Sequence, residues 1–316
     1  MLFRSFLGIL ESSPQLTTLS VANAGPRLPL DTPTLPPATR VIHLRNLQHL
    51  YLEQEDAYDV GWMLIHLKIP DSANVRIFVD SGGQTAVRLE LTFDLALPDH
   101  PGFPHLTNLR RCTYAVNFEP ICIITAHNFT LAIKWDNDMR RHFDCFMMPF
   151  LRRAMATGVI EDLTVVHEES TRYSTTTIEW DQVFGTLHSL RKLRVEQSGI
   201  PDLSVRAVFR SPSSPVLRDL WFTFLTFGED PRGEDEGGDQ KRLEEMIVDY
   251  CNERDQRGCR LNRLVIEAPS NPPPGLASLL APYVDNFEIR EEASGDEHVW
   301  EVKFGSRKMF DSGSTV

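Results

Sequence analysis

Leu190-Arg191-Lys192-Leu193-Arg194-Val195-Glu196 sets aliphatic side chains at its first, fourth and sixth positions, with charged residues between them. From Lys192 onward polar and apolar residues alternate, the period of a strand with one buried face. The same Leu-x-x-Leu-x-aliphatic/Phe pattern stands at Leu16/Leu19/Val21, Leu47/Leu50/Leu52, Leu217/Leu220/Phe222 and Leu261/Leu264/Ile266. Looser forms stand at Ile160/Leu163/Val165, Val284/Phe287/Ile289 and Leu109/Cys112/Tyr114. Chance would supply roughly one strict match in a chain of this length, so the recurrence is read as an internal repeat. A further hit, Leu64/Leu67/Ile69, falls out of phase and is read as helical.

The steps between first positions are 31, 62, 51, 30, 27, 44 and 23 residues, the 62 being twice 31. The 44-residue step contains Gly228 to Gln240, an acidic, Gly-rich stretch whose removal restores 31. Lengthening one surface loop costs only slowly growing closure entropy. Helix-like segments precede several strands: Phe3 to Leu10, Phe143 to Ala156, and Lys241 to Arg254, the last stopping before Arg257-Gly258. Helix, turn and short strand recurring at about thirty residues describe an α/β solenoid, a curved parallel sheet with helices on its outer face and an irregular middle third.

This gives N-terminal repeats over 1–55 and degenerate repeats or a β-rich insertion over 56–159. C-terminal repeats follow over 160–303 with the acidic loop 228–240, and then a disordered tail over 304–316. In the middle region Asp59 to Leu67 reads as helical, while Val75 to Val79, Val87 to Leu95, Tyr114 to Phe118 and Thr130 to Trp135 alternate like strands. Residues 25–39 hold five prolines and read as a stiff connection.

All 316 residues carry a formal charge of -12, from 44 acidic and 32 basic side chains. Glu229 to Asp239 contributes -5 and Asp285 to Glu301 contributes -6, so the rest is nearly neutral and a broad basic nucleic-acid face is disfavoured. Five scattered cysteines form no CxxC pair or disulfide framework and read as reduced thiols of cytoplasm or nucleus. No apolar run is long enough to span a bilayer, and the opening residues do not form a secretory signal.

The runs ESSPQLTTLSV, VIHLRNLQHLYLEQE, FGTLHSLRKLRVEQ and CRLNRLVIEA resemble the C-terminal leucine-rich-repeat region of F-box proteins, in particular the divergent sets of mushroom-forming fungi. That resemblance implies repeats that hold a substrate protein, while an F-box helix bundle docks on Skp1 in a cullin-based ubiquitin ligase. An F-box ahead of the repeats is not expected in this sequence, which reads as starting inside a repeat helix at Leu2, so Skp1 and cullin are expected only if one lies upstream. Phe3, Phe6, Leu7 and Leu10 at the start also lack the polar cap a terminal repeat needs. That suggests a fragment, a truncated gene model or a surface completed by a partner.

No phosphate loop, GxSxG elbow, HExxH or paired metal spacing is present, so no catalytic residues, metal or cofactor are expected. Ser189 to Lys192 matches S-x-x-K without its companion motifs. Asp136-Asn137-Asp138 starts like a calcium loop but lacks its glycine and glutamate, and His142 with Cys145 has no second pair. Strand alternation instead puts Lys192, Arg194, Trp221 and Arg263 on the face away from the core, flanked by Asp162 and Asp219, with Tyr51 on an earlier strand. Trp and Arg dominate binding energy at interfaces. The competing reading is mutual neutralisation, Asp162 with Lys192 and Asp219 with Arg194 or Arg263, worth a few tenths to about 1 kcal/mol each. The sequence therefore reads as a non-enzymatic protein-binding module. The alternative is a hydrolase-like enzyme with a site near His105, His127 or Asp136.

Overall fold

The computed structural model describes residues 2–24, 37–80, 109–116, 121–134, 160–168, 184–198, 208–209, 214–223, 225, 227, 243–269 and 271–291. Strands are entered through one recurring turn. The first leucines of the pattern, Leu16, Leu47, Leu190 and Leu217, each donate their N–H to the carbonyl three residues earlier, on Ser13, Leu44, Leu187 and Ser214, at 3.0–3.1 Å. Just beyond the turn, the carbonyls of Thr17, Arg110, Glu161, Arg191 and Arg218 each accept two successive N–H groups from the next strand. At the far end Asn23 and Ala268, both seven residues past a first leucine, take left-handed φ of 46° and 48°. Their N–H groups donate to Glu53 and Arg290 of the neighbouring strand at 2.7 Å. Identical pattern positions thus make identical backbone bonds.

The elements run α1 (Leu2–Glu11), β1 (Thr18–Ala22), β2 (Ile42–His43), β3 (His49–Gln54), α2 (Ala57–Ile65), β4 (Leu67–Lys68) and β5 (Asn74–Asp80). They continue with β6 (Arg111–Val116), β7 (Ile121–Ala126), β8 (Phe129–Lys134), β9 (Asp162–Glu168), β10 (Lys192–Ser198) and β11 (Asp219–Thr223). Last come α3 (Leu243–Gln256), β12 (Leu261–Glu267), α4 (Leu276–Leu280) and β13 (Val284–Arg290). Helix α3 stops at Gly258, whose φ of 70° suits glycine, while the N–H of Cys259 returns to the Arg254 carbonyl.

Eleven strands form one α/β sheet in the order β1-β3-β5-β8-β7-β6-β9-β10-β11-β12-β13, and a small parallel sheet pairs β2 with β4. Every neighbour in the large sheet is parallel except at β7, which runs against both β6 and β8. From β5 the chain passes over two positions, lays down β6, and doubles back through β7 so that β8 lies beside β5 and β6 beside β9. The 62-residue step is therefore not two equal repeats. Val75 and Ile77 occupy the core positions next to Leu50 and Leu52 without a leading leucine, and the meander follows. The hit Leu64/Leu67/Ile69 is helical only at Leu64, because Leu67 opens β4.

One core row crosses all eleven strands in register: Val21, Leu52, Ile77, Leu131, Ile124, Tyr114, Val165, Val195, Phe222, Ile266 and Ile289. All are buried except Ile289 on the last strand, which is 43 % exposed. Burying such a side chain is worth roughly 1.5–3 kcal/mol, and a slip of one residue would turn a strand's apolar set to the wrong face. Leu7, Leu10, Val60, Leu64, Met246, Ile247, Leu276 and Leu280 join the same cluster, so α1, α2, α3 and α4 pack on this face. Residues 25–36, 81–108, 135–159, 228–242 and 292–316 lie outside the described residues. With them fall most of the proline stretch, the expected strand Val87 to Leu95, the expected helix Phe143 to Ala156, the acidic loop and the expected tail.

Candidate functional site

The strand face opposite the helices carries the alternate residues, and the same registry sets them side by side. One row reads Ser20, Tyr51, Arg76, Thr130, Thr125, Thr113, Thr164, Arg194, Trp221, Val265 and Glu288. Beside it lie Glu196, Thr223, Glu267 and Arg290 on one side and Asp162, Lys192, Asp219, Arg263 and Asn286 on the other. Six of the seven residues singled out from sequence thus meet on β9 to β12. Tyr51 does not: it sits on β3, with five strands between it and β10, roughly 30 Å at strand spacing.

Trp221 is the centre of this patch. The guanidinium carbons of Arg194, Arg263 and Arg290 lie 4.8, 5.4 and 4.7 Å from its ring centroid. Each such contact is worth about 0.5–1 kcal/mol where exposed, because the ring's negative face attracts the cation. The indole Nε1 donates to Glu267 Oε2 at 3.1 Å, and Arg194 Nη2 reaches the same oxygen at 3.5 Å. Arg194 Nε also pairs with Glu196 Oε1 at 2.5 Å. Across the patch Arg263 binds Glu288 through two bonds, Nε to Oε1 at 2.9 Å and Nη2 to Oε2 at 3.1 Å. Arg290 donates Nε and Nη2 to Glu288 Oε2 at 3.0 and 2.6 Å. The bond from Arg290, with those from Arg263, holds the Glu288 carboxyl below the usual carboxylate range despite its partial desolvation.

Among the described residues the ion pairs of this patch differ from the expected ones. Lys192 lies 3.9 Å from Asp219, a loose surface pair worth about 0–1 kcal/mol. Arg263 turns instead to Glu288 on β13, and Arg194 to Glu196 and Glu267, because a guanidinium fork favours carboxylates it can meet along its own or the next row. Glu288 and Arg290 were missed in the sequence, although the pattern Val284/Phe287/Ile289 already places 286, 288 and 290 on this face.

Tyr51 makes a separate cluster. Its hydroxyl donates to Glu53 Oε2 at 2.6 Å, and Asn23 Nδ2 approaches Glu53 Oε1 at 3.5 Å. Burial, then the Glu53 bond, push the phenol well above its usual range. His127 is exposed in the two-residue turn between β7 and β8, whereas His105, Asp136, His142 and Cys145 lie outside the described residues. Asn128 donates its side-chain amide to the Asp71 carbonyl, and Phe129 is buried beside it. Ser189 to Lys192 runs from a turn into β10 with Leu190 in the core. Among the described residues no group of three His, Cys, Asp or Glu could hold a metal ion, and no helix is long and apolar enough to cross a membrane. No protein-family model, curated protein or solved structure matches the chain.

Proposed function

We propose that this chain is a leucine-rich-repeat-like solenoid that binds another protein on the strand face opposite its helices, the role held by the substrate-recognition repeats of an F-box ubiquitin-ligase adaptor. It acts without catalysis, in cytoplasm or nucleus. The carrying observation is Trp221, half-buried on that face and ringed by Arg194, Arg263 and Arg290. Tryptophan and arginine supply large contact areas, and side chains already held by mutual hydrogen bonds lose little freedom when a partner docks.

Affinity capture with the full chain tests the reading. Trp221→Ala and Arg194→Ala, checked for retained folding by circular dichroism, should lose a partner that the unmodified chain recovers. Undiminished recovery with both variants would overturn the reading. Skp1 and a cullin among the recovered proteins would mark the ligase-adaptor form, and their absence a standalone binder.

A further inference from the structure

Charge balance in the Trp221 patch hides an imbalance of hydrogen-bonding groups. A guanidinium has five N–H donors and no acceptor, whereas a carboxylate has about four acceptor sites. Glu288 receives four bonds from Arg263 and Arg290, which fills it. Glu267 Oε2 receives Trp221 and Arg194, whereas Arg194 Nε and Glu196 Oε1, 2.5 Å apart, form an ion pair without hydrogen-bond geometry. Among the described residues, the contacts of all three arginines use Nε and Nη2 and leave Nη1 uncommitted. The arginine side chains are 33, 37 and 40 % exposed, so each keeps part of its surface open to a partner.

Resting on the reading of this face as a protein-binding surface, we infer that its partner presents an acidic peptide segment whose carboxylates take the outer donors of Arg194, Arg263 and Arg290. The three guanidinium carbons surround one ring, so no two are more than about 10 Å apart. Alternate side chains of an extended peptide are roughly 7 Å apart, which lets acids two residues apart reach two of the arginines together. Planar forks bind carboxylates bidentately, and the existing Glu288 bonds hold two forks in place beforehand. The nearby carboxylates set a limit on affinity and make it salt-sensitive.

The test uses the full chain with fluorescein-labelled octaglutamate, and octalysine as the opposite probe, read by fluorescence anisotropy at low and physiological salt. Octaglutamate should bind, weaken with salt, and lose at least tenfold in affinity in Arg290→Ala and in Arg263→Ala. Arg290→Lys, which keeps charge but not the fork, should recover only part of it. No binding of octaglutamate, preference for octalysine, or affinity unchanged in both alanine variants overturns the inference. Octaglutamate should also displace a partner captured through Trp221. A partner that depends on Trp221 but resists displacement would sink the acidic segment alone and leave the binding face standing.

Discussion

The guanidinium of Arg254 donates Nη2 to the main-chain carbonyl of Leu217 at 2.7 Å, across 37 residues of sequence. Nη1 reaches the Ser214 carbonyl at 3.2 Å, and the cation lies 5.6 Å from the Tyr250 ring. One side chain of α3 thereby pins the turn that feeds β11. Arg254→Ala takes this donor from the Leu217 carbonyl, at about 1–3 kcal/mol when buried, while the Ser214 carbonyl keeps its bond from the Leu217 N–H. The expected loss is about 1–3 kcal/mol, with Arg254→Lys intermediate, read from urea denaturation midpoints. A loss under about 0.5 kcal/mol would show that water replaces the guanidinium without cost.

Ala268 carries a side chain where φ is 48°, a region in which a Cβ crowds the backbone by roughly 1–2 kcal/mol. Ala268→Gly removes that strain and loses roughly 0.4–1 kcal/mol through the freer unfolded chain. The net expectation is unchanged or slightly raised stability. Ala277→Gly within α4 should instead cost about 1 kcal/mol, since glycine is a poor helix former. Equal losses in the two variants would refute the strain at Ala268.

Burial pushes the thiols of Cys112 and Cys251 up to about 12. An ordinary thiol near 8.5 holds roughly a thousandfold more thiolate at pH 8. Brief iodoacetamide treatment at that pH, followed by peptide mapping, should modify the half-exposed Cys259 and spare the other two until denaturant is added. Early modification of Cys251 would mean that α3 opens readily from the core.

The Glu288 carboxyl is held below its usual range by Arg290 first and Arg263 second. A carboxyl depressed in the folded state adds stability above its unfolded value, and that contribution is lost as pH falls through the depressed one. Glu288→Gln should therefore be less stable than the parent near pH 7, with the gap closing toward pH 3. A gap that stays constant with pH would place the loss in packing rather than in the ion pairs.

The periodic strands were legible because leucine spacing and alternation are local properties. Leu193, Leu220 and Leu264 fall into register with no more information than their sequence pattern. Helix α3 was legible for the same reason, its apolar residues lying on one face. Strand order was not: β6 and β8 read as strands and β7 did not, and nothing local tells that β8 rather than β6 joins β5. The placement of Arg194, Trp221 and Arg263 on one face followed from alternation alone. Their partners did not, because Glu267 and Glu288 are chosen by cross-strand neighbours that only the register reveals.

The reversed strand β7 also constrains how this sheet can have grown. Both β5 and β9 expect a co-directional neighbour, so whatever is spliced between them must begin and end on strands of that direction. A hairpin has one strand of each sense and would leave one seam mismatched; a three-strand meander satisfies both. Parity, more than length, is the rule for admissible insertions here, and the threonines of β6, β7 and β8 keep their common row only because that rule is met.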